Sequence, residues 1–108
     1  MTIRDTLTQL RKLFSDKRNW TQGTYFRMPT RYAKRDRTCY CLAGGLNKVT
    51  GRNLLKDLPQ NEIKALGFES SNDLFDWNDH PQRTVQEVRI RIDQAIVNIG
   101  KKKKVWTV

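Results

Sequence analysis

A thiol and an imidazole are the side chains of this sequence that could act together as a nucleophile and a base. The cysteines are Cys39 and Cys41, and His80 is the sole histidine. If Thr38 is a helix N-cap, Cys41 lies in the first helical turn, where free N–H groups and the helix dipole favour a thiolate. A Cys41–His80 hydrolase or transferase is therefore one candidate function. A reduced, buried structural cysteine is the commoner explanation, and we favour it.

Metal binding has less support in the sequence. A Cys-x-Cys pair with one histidine lacks a fourth strong ligand and does not have the spacing of zinc fingers or ribbons. Asp73, Asp76, Asp79 and His80 could be drawn together as a metal or acid–base site, but helix-capping carboxylates and a turn explain the same residues. We expect neither a metal nor a cofactor.

The strongest functional signal is charge. The formal net charge is +10, with 21 Lys and Arg residues and 11 Asp and Glu residues. Between Asp57 and Asp79 six acids accompany one base, so the positive excess lies elsewhere in the chain. Basic residues in such excess attract polyanions and displace counterions from phosphates. The candidate nucleic-acid-binding residues are Arg27, Arg31, Lys34, Arg35, Arg37, Lys101, Lys102, Lys103 and Lys104.

Aromatic residues accompany the cations in the segment 17–38, which shows no helical period. Exposed aromatic rings can stack on unpaired bases. The same rings could instead fold back as a lid over the core, and we favour the lid. The aromatic residues concerned are Trp20, Tyr25, Phe26 and Tyr32.

The elements around these residues are predicted to be mainly α-helical. A buried central helix over 38–51 has Cys39, Leu42, Leu46 and Val49 at helical spacing, and Gly51 ends it. Gly44 and Gly45 give it a second, small face that another element can approach closely. Further helices are predicted over Thr2–Asp16, from Pro59 to a glycine cap at Gly67, from Ser71, and over Thr84–Ile99, where Gly100 is expected to end the last helix.

These elements predict one small helical domain over residues 1–100, with 101–108 as a basic C-terminal extension. The extension either forms a short two-stranded β element, 24–28 with 105–108, or remains a tail. No segment reaches the roughly 18 apolar residues of a membrane span, and the N-terminus opens with an amphipathic helix. We therefore expect a cytoplasmic protein, without membrane attachment.

Four short motifs occur in order: Trp20-Thr-Gln-Gly23, Cys41-Leu-Ala-Gly-Gly-Leu46, Trp77-Asn-Asp79 and Arg83-Thr-Val-Gln-Glu-Val88. Together they resemble a family of small uncharacterised bacteriophage and bacterial proteins over roughly Ile3–Ile99. The resemblance implies a shared fold and a phage or prophage setting, without a known activity. Gly45 stands where the family usually has alanine, and His80 matches no motif position. The matching positions are Trp20, Gly23, Cys41, Trp77, Asn78, Asp79, Arg83 and Thr84.

The leading hypothesis is a non-enzymatic phage accessory protein that binds DNA or RNA through phosphate contacts. The second is an inhibitor or adaptor of a host nucleic-acid enzyme or defence complex, in which the basic surface docks on an acidic host protein. The third is the cysteine-dependent enzyme. The sequence leaves the oligomeric state open.

Overall fold

The computed structural model describes residues 2–23, 38–51 and 59–100, and the backbone alone at 26–27 and 101–105. Five helices form the domain: α1 Ile3–Leu13, α2 Leu42–Thr50, α3 Gln60–Ala65, α4 Ser71–Asp79 and α5 Val85–Val105. Helix α1 packs against α2, α3 and α5, and α2 packs against α4. The predicted mainly α domain is confirmed. None of the helices in the described part of the chain combines the length and the apolar character needed to span a bilayer.

The core forms where the predicted apolar stripes of α1, α2 and α5 meet. Its fully buried side chains include Leu7, Leu10 and Phe14 from the α1 region, Leu42 and Leu46 from α2, and Val88 and Ile92 from α5. The periodicity of the sequence therefore predicts the buried faces correctly.

Helix α2 begins three residues later than predicted. Its N-cap is Cys41 rather than Thr38, because Cys39–Tyr40 is an extended strand, β2. This strand pairs antiparallel with β1, Phe26–Arg27. The helix ends as predicted at Gly51, which has φ +72° in the left-handed region that glycine adopts without strain.

The predicted pairing of 24–28 with 105–108 is not found among the described residues. The strand that forms within 24–28 pairs with β2, and Val105 is helical because α5 continues through Gly100. A glycine inside a helix costs about 1 kcal/mol relative to alanine, and the four lysines after it are good helix formers next to a helix C-terminus. Residues 106–108 lie outside the described residues.

The close approach predicted at the small face of α2 is confirmed. A Cβ placed on Gly45 would lie 2.8 Å from Phe14 Cζ and 3.0 Å from Leu10 Cδ1. Helix α1 therefore packs on α2 at a separation that a side chain at residue 45 would prevent.

The predicted glycine cap of α3 is also confirmed. Gly67 has φ +93°, its N–H donates to Lys64 O at 2.9 Å, and the N–H of Phe68 donates to Ile63 O at 3.2 Å. This pair of bonds is a Schellman motif, and the buried Phe68 ring provides its apolar contact.

Candidate functional site

The side-chain amide of Asn78 is the centre of the cluster that the four motifs form. Its Oδ1 accepts from Trp20 Nε1 at 2.8 Å and from the Leu42 N–H at 3.1 Å. Its Nδ2 donates to Thr21 O at 3.2 Å and to Asp79 Oδ1 at 2.9 Å. A side-chain amide offers two donors and two acceptor sites, so all four are occupied within the protein. Asn78 is fully buried and joins the end of α4 to the start of α2 and to the segment 20–23.

The segment 20–23 is bound to the end of α4 by three further hydrogen bonds. Gly23 donates its N–H to Asp79 Oδ1 at 2.9 Å. The Gln22 amide donates to Asn78 O and His80 O, each at 2.8 Å. The segment therefore follows the α4 C-terminus because its polar groups complete hydrogen bonds that the helix leaves open.

A second group of motif residues secures the turn from α4 to α5. Arg83 Nε donates to Trp77 O at 2.8 Å, and its guanidinium lies 4.1 Å from the centroid of the Trp77 ring. Arg83 Nη1 also pairs with Glu87 at 2.8 Å, and Glu87 forms a reciprocal capping box with Thr84. The Thr84 N–H and the Arg83 guanidinium together lower the pKa of Glu87.

We call these residues the Asn78 clasp: Trp20, Gly23, Trp77, Asn78, Asp79, Arg83 and Thr84. They come from two segments far apart in sequence, 20–23 and 77–84, and Trp20 and Gly23 bind Asn78 and Asp79 directly. Since the donors and acceptors of Asn78 are satisfied internally, its amide holds elements of the fold together. The sequence attributes Asp79 to a capping carboxylate or a turn, but Asn78 and Asp79 both lie in the last turn of α4 and bind residues more than 50 positions away.

Cys41, the eighth motif position, is buried directly beside the clasp. Its Sγ accepts from the Gly44 N–H at 3.3 Å, which caps α2. Burial raises the pKa of the Cys41 thiol, with a smaller contribution in the same direction from Asp79. The thiolate expected from a position inside the first turn is therefore disfavoured at this buried N-cap.

His80, the weak candidate for a base, follows α4 as its exposed C-cap residue. Its Nδ1 accepts a hydrogen bond from the Gln82 N–H at 3.1 Å. The Cys41 sulfur accepts its hydrogen bond from the Gly44 N–H and not from His80. Within the described ranges, no group of three or more His, Cys, Asp or Glu residues is placed to hold a metal ion.

Arg83, just before α5, and two arginines within α5 bind backbone carbonyls at the C-terminal ends of other helices. Arg83 binds Trp77 O in α4, and Arg91 Nε donates to Leu66 O, the C-cap of α3, at 3.0 Å. Arg89 donates from Nε to Phe14 O at 2.7 Å and from Nη2 to Ser15 O at 2.9 Å, after α1.

The contacts of Arg89 and Arg91 were not predicted, because each joins α5 to an element distant in sequence. The one available signal was that Arg89 and Arg91 fall beside the apolar stripe of α5. Arg91 is also held between two aromatic rings, 4.2 Å from the Phe68 centroid and 5.0 Å from the Trp77 centroid. Burial, and then the neighbouring Arg83, lower its pKa. Part of the basic charge therefore stabilises the fold.

One buried polar side chain takes no part in these hydrogen-bond networks. Asn47 in α2 is fully buried, and neither Oδ1 nor Nδ2 has a hydrogen-bond partner among the described residues. An unpaired buried amide destabilises a fold by about 1–3 kcal/mol.

The predicted nucleic-acid-binding cations lie outside the described side chains. For Arg27 and Lys101–Lys104 the structure describes the backbone, in β1 and in the last turns of α5, and Arg31, Lys34, Arg35 and Arg37 lie outside the described residues altogether. The described side chains comprise ten Lys and Arg residues and nine Asp and Glu residues, which is close to neutral. The remaining eleven of the 21 cations, with two acids, fall in 24–37, 52–58 and 101–108.

The fold and the clasp define a small, mainly α-helical domain whose short sequence motifs are structural. A family model described as "Family of unknown function (DUF6197)" matches residues 1–98, and the chain belongs to this family. The lysine run at 101–104 lies beyond the matched residues. Searches of curated proteins and of solved structures give no match.

Proposed function

We propose that this protein is a non-enzymatic accessory protein that binds nucleic acid through its phosphates. The observation that carries this proposal is the separation of charge along the chain. The described domain is nearly neutral, and the excess of nine positive charges is concentrated in 24–37, 52–58 and 101–108. Basic residues in excess over acids release counterions from a nucleic-acid backbone, which drives sequence-independent binding.

The surroundings of Trp20 favour phosphate contacts over base stacking, whereas the side chains of Tyr25, Phe26 and Tyr32 lie outside the described residues. Trp20 is half-buried, and its indole N–H is bonded to Asn78. It is therefore part of the clasp, as the lid hypothesis expects. Phosphate contacts position a protein on nucleic acid but carry no sequence information, so we expect weak sequence preference and binding to both DNA and RNA.

We place this activity in the cytoplasm of a bacterial host, in a phage or prophage setting. The motif resemblance supports that setting. The cysteine-dependent alternative has no support from the surroundings of Cys41, because burial disfavours the thiolate that a nucleophile needs.

The proposal is tested by fluorescence polarisation with a labelled single strand and a labelled duplex at low and physiological salt. Replacing all four residues Lys101–Lys104 with glutamine should weaken binding at least about tenfold, whereas replacing them with arginine should retain it. Absence of wild-type binding at low salt, or affinity that salt does not change, would refute the proposal.

Affinity capture from a nuclease-treated bacterial lysate distinguishes the adaptor hypothesis from nucleic-acid binding. A nucleic-acid-binding protein should lose its captured material after nuclease treatment. A stoichiometric acidic protein that remains bound would favour the adaptor instead.

A further inference from the structure

A groove between α1 and α2 presents two lysines without carboxylate partners. It is lined by Gln9, Lys12, Leu13, Lys48 and Val49, with a volume of about 510 Å³. Lys12 and Lys48 both lie in the last turns of their helices and are exposed. Leu13 and Val49 are partly buried and provide an apolar floor beside the two ammonium groups.

Within the described part of the chain, neither lysine forms an ion pair or a side-chain hydrogen bond. Two arginines of the same region, in contrast, form ion pairs with carboxylates. Arg11, next to Lys12, pairs with Asp93 at 2.9 Å, and Arg18 pairs with Asp16 at 2.8 Å. Two other surface clefts each contain a carboxylate, Asp93 in one and Glu69 beside Lys64 in the other. The α1–α2 groove is therefore positive and uncompensated, although the described domain as a whole is close to neutral.

We infer that the α1–α2 groove is a second phosphate-contact site, at which Lys12 and Lys48 hold the backbone of the bound nucleic acid. This inference rests on the proposed function and extends it from the segments 24–37 and 101–108 to the described domain. Lysine acts on phosphate as a point charge and tolerates variable geometry, which suits sequence-independent binding. Leu13 and Val49 can contact the sugars.

The test compares two double variants of equal net charge. Lys12→Gln with Lys48→Gln removes both groove lysines, whereas Lys17→Gln with Lys64→Gln removes two exposed lysines that do not line the groove. Binding of a labelled 20-mer single strand and of a duplex is measured by polarisation between low and physiological salt. Thermal melting confirms that all variants fold as the wild type does.

The groove variant should reduce the slope of log affinity against log salt by about 1.4 for the single strand and about 1.8 for the duplex, because each lost phosphate contact contributes ~0.7 or ~0.9. The control should change the slope by less than half as much. Lys12→Arg with Lys48→Arg should retain the wild-type slope.

Three results would overturn the inference. Equal changes in the two glutamine variants, with wild-type binding intact, would refute the groove but leave the proposed function standing. A labelled poly-glutamate peptide that binds wild type as tightly as the nucleic acid, and loses binding in the groove variant, would assign the groove to an acidic protein. Absence of wild-type binding at low salt would refute both proposals.

Discussion

At the scale of single residues, the buried side-chain amide of Asn78 joins several segments of the chain by hydrogen bonds. Its amide satisfies the indole N–H of Trp20, the N–H of Leu42 and the carbonyl of Thr21 in one buried position. Removing such an amide leaves three polar groups with no alternative partner, and each buried unpaired group is destabilising.

Asn78→Ala should therefore lower the free energy of unfolding by about 3 kcal/mol or more. Urea denaturation measures this directly. Asn98→Ala is the matched control, since Asn98 is exposed on α5, and it should change stability by less than about 0.5 kcal/mol. Equal effects of the two substitutions would contradict the assignment of Asn78 as the centre of the clasp.

Asn47 gives the opposite prediction. Because its amide is fully buried and unpaired among the described residues, Asn47→Leu should raise the free energy of unfolding by about 1 kcal/mol or more. The side chains have similar branching, so little repacking is needed. A loss of stability in urea denaturation would instead mean that the amide makes a stabilising contact in solution.

At the scale of elements, the α1–α2 contact depends on glycine at residue 45. Gly45→Ala adds a methyl group 2.8 Å from Phe14 Cζ, and Phe14 is fully buried and cannot move aside freely. Overpacking costs about 1–3 kcal/mol, and the gain in helix propensity offsets about 1 kcal/mol.

We expect Gly45→Ala to destabilise the protein by about 1–2 kcal/mol in urea denaturation. In the background Phe14→Leu, where the ring is absent, the same change should be neutral or stabilising. A double-mutant cycle measures this coupling, and strict additivity would contradict close packing between α1 and α2 at this point.

Arg89 and Arg91 of α5 bind backbone carbonyls at the C-terminal ends of α1 and α3. Arg89 binds two consecutive carbonyls, Phe14 O and Ser15 O, with two nitrogens of one guanidinium. A lysine ammonium cannot reproduce that forked geometry. Arg89→Lys should therefore cost about 1–2 kcal/mol in thermal or urea unfolding.

Arg4→Lys is the control for Arg89→Lys, because Arg4 is exposed on α1. It should leave stability within about 0.5 kcal/mol of wild type. If the two conservative changes were equivalent, the contact of Arg89 with the end of α1 would contribute nothing measurable.

The elements also show what the sequence could predict. The apolar stripes of α1 and α5, the end of α2 at Gly51 and the cap at Gly67 depend on neighbouring residues, and the sequence indicates them correctly. The start of α2 was mispredicted because pairing of β2 with β1 keeps Cys39–Tyr40 extended, and that pairing is not local. The end of α5 was mispredicted because Gly100 tolerates a helix when favourable residues follow.

The candidate site was harder to predict for the same reason. The motif residues were identifiable from the sequence, but their function depends on contacts such as Trp20 with Asn78, 58 positions apart. Likewise, charge counts did not separate arginines that bind carbonyls, such as Arg89 and Arg91, from lysines that make no ion pair with a described residue, such as Lys12 and Lys48.

At the scale of the whole molecule, the basic residues that stabilise the described fold are distinct from those that give the chain most of its net charge. Arg83, Arg89 and Arg91 hold helices together, and Arg11 and Arg18 pair with carboxylates. The segments 24–37, 52–58 and 101–108 hold eleven basic residues against two acids and so contribute nine of the ten net positive charges of the chain. This division is the physical basis for proposing a polyanion as the partner.

The most direct measurement is the salt dependence of wild-type affinity for a mixed-sequence DNA and an RNA of the same length. We expect log affinity to fall linearly with log salt, with a slope steeper than about −3, which corresponds to roughly four or more phosphate contacts. Affinities for the two nucleic acids should be similar. No binding at low salt, or a slope near zero, would contradict phosphate-driven binding of nucleic acid.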